Sequence, residues 1–187
     1  MHEPAARILE HWNEFYLLVG TGAAALVALL FVAASIGAGL ITRSPSGPTR
    51  TYMSPIAFHF TSALFVSAVA LVPSHTRLSL GLLIALNAAA GIGYAAFVLR
   101  RLLTDDISDL ADRICYGILP LAAYTAGLAA AYLIVQGSIH APEFLAATVV
   151  VLLIVNIRNA WDLMLSLSRR RAEAEAAASQ PKIVKPE

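Results

Sequence analysis

Leu78-Ser-Leu-Gly-Leu-Leu-Ile-Ala-Leu-Asn-Ala-Ala-Ala-Gly-Ile-Gly-Tyr-Ala-Ala-Phe-Val-Leu99 passes from Arg77 to Arg100 without a charged residue. At 1.5 Å per residue a helix over this stretch is about 33 Å long, enough to cross a hydrocarbon core of about 30 Å. Comparable apolar stretches lie on both sides of it, over residues 15–41, 54–72, 114–135 and 142–167. The breaks between them include Thr42-Arg-Ser-Pro-Ser-Gly-Pro-Thr-Arg50, Pro73-Ser-His-Thr-Arg77 and Gln136-Gly-Ser-Ile-His-Ala-Pro142. Their prolines and glycines stop one helix and start the next. Composition points the same way: 58% of the chain is hydrophobic and 13% charged, against about 45–50% and about 25% in soluble domains. The expected fold class is all-α, a polytopic transmembrane bundle of five helices.

Orientation follows from the basic residues. Alternating the five spans from an N-terminus placed outside puts Arg43, Arg50, Arg100, Arg101, Arg113, Arg169, Arg170, Arg171, Lys182 and Lys185 on the inner side. Only Arg7 and Arg77 fall outside, and Arg158 stays within the fifth span. The excess of inner Lys and Arg selects N-out, C-in. Residues 1–14 carry Glu3, Glu10 and Glu14 against Arg7. That is the wrong charge for a cleaved signal, so an amphipathic outer-face segment is expected, anchored at the headgroups by Trp12, Phe15 and Tyr16.

Between the third and fourth spans, Leu103, Ile107, Leu110 and Ile114 recur at helical spacing among Asp105, Asp106, Asp109 and Asp112. With Thr104 at a capping position, this predicts a short amphipathic helix on the inner surface. Three regions result: the N-terminal segment 1–14, the bundle 15–167, and a cytoplasmic basic and Ala-Glu tail 168–187. The tail is expected to extend the fifth helix before a disordered end.

Trp12-x-x-Phe15-Tyr16, the small-residue run 20–25 and Leu30-Phe31-Val32-x-x-Ser35 resemble the opening span of uncharacterised small multi-pass bacterial inner-membrane proteins. Arg158-Asn-Ala-Trp-Asp162 in the fifth span is similar to a segment of the same proteins. The resemblance implies a bacterial inner (cytoplasmic) membrane and carries no activity with it.

Catalytic motifs are missing. The single cysteine, Cys115, forms no internal disulfide and no cysteine-based zinc site. No Gly-rich phosphate loop, H-E-x-x-H or C-x-x-C occurs, so no enzyme and no cofactor is expected. Basic residues sit at helix ends, which argues against nucleic acid. His11 and Glu14 share a helical face, and His75 and His140 are expected on the same side of the membrane. These are metal-ligand types, but no spacing joins them, and no metal site is assigned.

Small residues recur every four positions: Gly37 with Ala33, and Gly39 with Ser35, in the first span; Ala89 and Gly93 with Ala85 in the third; Ala123 and Gly127 with Ala131 in the fourth. Such residues let helices approach closely in lipid, where packing drives association. Asn87, mid-span, suits an interhelical hydrogen bond. The charges in the fifth span are costly, and Arg158 and Asp162 lie one turn apart, placed to pair. His59, Tyr94, Arg158 and Asp162 fall at matching inner-leaflet depth and form the candidate polar pocket. The competing reading has Arg158 reaching to the interface and His59 packed and hydrogen-bonded.

These features predict a non-enzymatic membrane component, a self-associating scaffold or a regulator of a membrane complex. Its partners would be the bilayer and either further copies of the chain, as a homo-oligomer, or another membrane protein. The alternative is a small oligomeric channel or transporter with a polar inner-leaflet site.

Overall fold

The computed structural model describes residues 9–41, 49–104 and 110–179, and the described residues are helical apart from the turns at 71–76 and 137–140, with no strand. A 3-10 turn, Glu10–Trp12, leads into α1, Asn13–Ile41. Then come α2, Thr49–Ala70, and α3, Arg77–Thr104. A helical turn Leu110–Asp112 and a π-helical turn Arg113–Ile118 open α4, Leu119–Gln136. The last helix, α5, runs Ala141–Ser179 and includes the Ala-Glu extension.

Among the described residues, four segments are long and apolar enough to cross a membrane: Asn13–Ser35, Arg77–Thr104, Leu110–Gln136 and Ala141–Ser166. The apolar part of α2, Ser54–Ala70, is shorter, about 26 Å at the helical rise. Outward faces carry bare hydrocarbon, including Leu18, Leu29, Phe31, Leu82, Leu86 and Ile154. That much exposed apolar surface is unsuited to water and suited to lipid.

Contacts run in a ring: α3 against α4, α4 against α5, α5 against α2, and α2 against α1, with a thinner contact between α2 and α3. One core joins Tyr16, Val66, Ile84, Ile134, Leu145 and Val149 near the end that holds the α2–α3 and α4–α5 turns. A second joins Ile56, Phe60, Val98, Tyr116 and Leu163 towards the opposite end. The α4–α5 turn follows from Gly137, whose φ of 73° ends α4 with its N–H on Ile134 O. Only glycine adopts that backbone readily.

One expectation changes, and others fall on residues that are not described. Tyr16 is not a headgroup anchor. It is fully buried and its hydroxyl donates to Pro142 O at 3.2 Å, tying α1 to the start of α5. A buried phenol needs such a partner. The Thr104 hydroxyl donates back to Arg101 O and Arg100 O at 2.9 and 3.2 Å at the last residue of α3, and the cap expected of it bears on residues outside the described ones. Of the amphipathic segment, Ile107 and the acids at 105, 106 and 109 lie outside the described residues.

The small residues of α3 divide between two faces. Ala89 and Gly93 face outward, and a Cβ built on Gly93 meets nothing within 4 Å. The buried small residues are Gly81, Ala88, Gly91 and Ala95. Nearly every face of this helix is small, so spacing alone does not select the one that packs. In α4, Ala123 and Gly127 are buried, and a Cβ on Gly127 would sit 3.3 Å from Thr148 and 3.7 Å from Ala88. The surroundings of Gly37 and Gly39 lie outside the described residues.

The π turn is a feature that the sequence reading did not include. Pro120 lacks an N–H, and its ring crowds the carbonyl four residues earlier, that of Tyr116. The wider turn before it accommodates that conflict. Such turns free backbone groups for other partners.

Candidate functional site: a buried histidine among four helices

His59 projects from α2 into the bundle and is 1% exposed. Its Nδ1 lies 2.8 Å from the Tyr124 hydroxyl of α4. Tyr124 is buried too, and its place depends on α3: any Cβ on Gly91 would run into the Tyr124 ring. Phe58 and Tyr94 complete an aromatic shell. Phe58 lies 4.6 Å from Tyr94, and the His59 ring lies 5.4 Å from Tyr124 and 6.2 Å from Tyr94 between centroids.

One turn further along α2, Ser62 and Asn87 of α3 hydrogen-bond to each other at 2.8 and 3.1 Å. Ser62 also neighbours the Tyr124 hydroxyl. A polar file therefore crosses three helices, from Asn87 through Ser62 and Tyr124 to His59. Neighbouring members bond or abut one another, but His59 Nε2 has no partner among the described residues. Neither has Asn156 Oδ1 on α5, which is fully buried while its Nδ2 donates to Leu152 O at 2.6 Å. Leu152 packs in the same cluster as Tyr124, so Asn156 lies one turn from that layer. Buried polar atoms left unpaired are uncommon and destabilising, and they gather where a protein has a use for them.

The four pocket candidates divide into two pairs. His59 and Tyr94 share the buried aromatic shell. Arg158 Nη1 meets Asp162 Oδ2 at 3.1 Å on a flank of α5 where both side chains are nearly half exposed. No hydrogen bond or ring contact joins the two pairs among the described residues. Asn159, next to Arg158 on α5, is fully buried, and its Nδ2 donates to Cys115 O at 3.0 Å. The Tyr116 hydroxyl returns a bond to Asn159 O at 3.0 Å, so α5 clasps the π turn twice.

Sequence reasoning missed Tyr124, Gly91 and the part played by Asn159. Tyr124 does leave a trace, as the one bulky polar-tipped side chain within the small run 122–127. The metal-ligand types stay apart. His140 pairs with Glu143 at 3.2 Å, His75 Nδ1 lies 3.3 Å from the Ser79 hydroxyl, and His11 and Glu14 are exposed. No group of three or more His, Cys, Asp or Glu gathers for a metal among the described residues.

Long apolar helices and a hydrocarbon exterior define a multi-pass helical membrane protein. The chain matches no protein-family model, no curated protein and no solved structure.

Proposed function

We propose that this chain is a non-enzymatic integral component of a bacterial inner membrane, a scaffold or regulator that acts through contacts made within the bilayer. In this reading α2 is a fifth span, the N-terminus is outside and the C-terminus is cytoplasmic. The described part of α2 is long enough to reach across with modest thinning of the lipid around it, and the distribution of Lys and Arg sets the direction. The observation that carries the functional reading is the direction in which the molecule is open. Its centre is filled by His59, Tyr124, Asn156 and Asn159, each at most 1% exposed. The clefts flank α2 on the apolar exterior and are lined mainly by hydrocarbon. A molecule recognised there arrives through the lipid.

Self-association is part of the proposal. The outward small face of α3, with Ala89 and bare Gly93, permits close helix approach between copies. Native mass measurement of the full chain in nanodiscs tests it: a defined oligomer is expected, and a monomer across the accessible concentration range overturns the self-association.

The second reading, a small channel or transporter, draws on the unpaired His59 Nε2 and Asn156 Oδ1. It requires that His59 lie on a conducting path, so His59→Leu would abolish ion or proton flux into proteoliposomes. Absence of flux in the unaltered protein decides for the scaffold.

A further inference from the structure

The thin contact between α2 and α3 leaves a cleft of about 310 Å³. Phe58 and Phe65 line it from α2, seven residues and on the order of 10 Å apart. Leu86, two thirds exposed, stands at its mouth. Thr61, Ser62 and Asn87 supply its polar atoms. Phe58 is not free to swing, because Tyr94 stacks on it at 4.6 Å and His59 and Tyr124 abut it. The cleft is therefore preformed.

Two donors in it have capacity to spare. Asn87 gives one amide N–H to Ser62 and keeps the other. Thr61 is exposed, and its hydroxyl makes no hydrogen bond among the described residues, whereas Ser35, Thr125 and Thr148 return theirs to their own helix carbonyls. Asn87 lies three or four residues, roughly 5 Å, from the midpoint of α3. No water reaches that depth to satisfy these donors. The occupant must bring an acceptor with it.

Depth and size narrow the choice. Phospholipid ester carbonyls stay at the edge of the core, about 15 Å from its middle. A transmembrane helix is about 10–12 Å across with its side chains and does not enter a space of this volume. A flat apolar ring carrying carbonyl oxygens does, and such rings dissolve in the hydrocarbon.

The geometry points to the α2–α3 cleft as a binding site for an uncharged, lipid-soluble ring bearing carbonyls, the chemistry of a prenylated quinone. Asn87 Nδ2 and the Thr61 hydroxyl donate to its oxygens, and Phe58 and Phe65 hold the ring between them. Binding alone is assigned, and no electron transfer. The inference is independent of the scaffold reading and of the direction in which the chain is inserted.

The test uses the full chain in quinone-free phosphatidylcholine nanodiscs, titrated with decylubiquinone while the thermal midpoint is followed. A ligand that binds only the folded state raises the midpoint with the logarithm of its concentration. A rise of about 5 °C is expected at hundredfold excess over the half-saturating level. Decylbenzene, which has a ring but no carbonyl, should give no rise. Asn87→Leu should lose the effect. Because that change also unpairs Ser62, Leu86→Trp serves as the second variant. It blocks the mouth from an exposed position, should leave the unliganded midpoint unchanged, and should abolish the rise. An absent rise in the unaltered protein, an equal rise with decylbenzene, or a rise retained by Leu86→Trp each overturns the assignment. So does ready disulfide pairing of Leu86→Cys chains in place of a ligand effect, which would give the cleft to a second copy.

Discussion

Gly91 has no side chain where Tyr124 needs the room, and that one vacancy lets an aromatic hydroxyl reach His59. Gly91→Ala should therefore cost about 1–3 kcal/mol, the range for overfilling a packed core, and lower the thermal midpoint in detergent. A midpoint equal to that of the unaltered protein would mean Tyr124 is not wedged there. Arg158 and Asp162 offer the opposite case. Each is nearly half exposed, so their 3.1 Å contact should be weak. Arg158→Leu and Asp162→Leu should show a coupling of about 0.5 kcal/mol in a double-mutant cycle. Coupling several times larger would show that both charges lie in hydrocarbon rather than reaching out of it. This pair was legible in the sequence because four residues on one helix fix their neighbourhood. His59 and Tyr124 were not, because 65 positions separate them and only the choice of facing sides brings them together.

The π turn Arg113–Ile118 shows how one element is held by another. Pro120 disturbs the helix, the turn widens, and Asn159 and Tyr116 lock the widened backbone to α5. Tyr116→Phe removes one of the two bonds while keeping the ring in the core. Losing about 1 kcal/mol of local stability should speed amide exchange through residues 113–118 roughly fivefold and leave α3 unchanged. Equal protection in both proteins would show that the turn is stable without the clasp. Proline marked the difficulty in the sequence, but nothing marked its solution, which lies 43 residues away. Neither small-residue stripe could be assigned a packing face from spacing alone. In α4, Ala122, Ala126, Ala129 and Ala130 adjoin Ala123, Gly127 and Ala131, and in α3, Ala88, Ala89, Ala90 and Gly91 offer several faces alike.

At the scale of the whole molecule, length and hydropathy carry most of the information. Four helices meet both requirements, and α2 is the marginal one. Its apolar part is short, and polar side chains (His59, Thr61, Ser62 and Ser67) interrupt it because three of them face the bundle rather than lipid. Hydropathy averages over faces and so undervalues a helix whose inner side is polar. Crossing by α2 is the central claim, since it decides on which side every later segment emerges. The direct measurement is labelling by a membrane-impermeant maleimide in intact cells, in a Cys115→Ser background, of Ser46→Cys before α2 and Ser74→Cys after it. A crossing α2 with the N-terminus outside predicts that Ser74→Cys is labelled from outside and that Ser46→Cys is labelled only after the membrane is opened. Equal labelling of the two positions from the same side would contradict it.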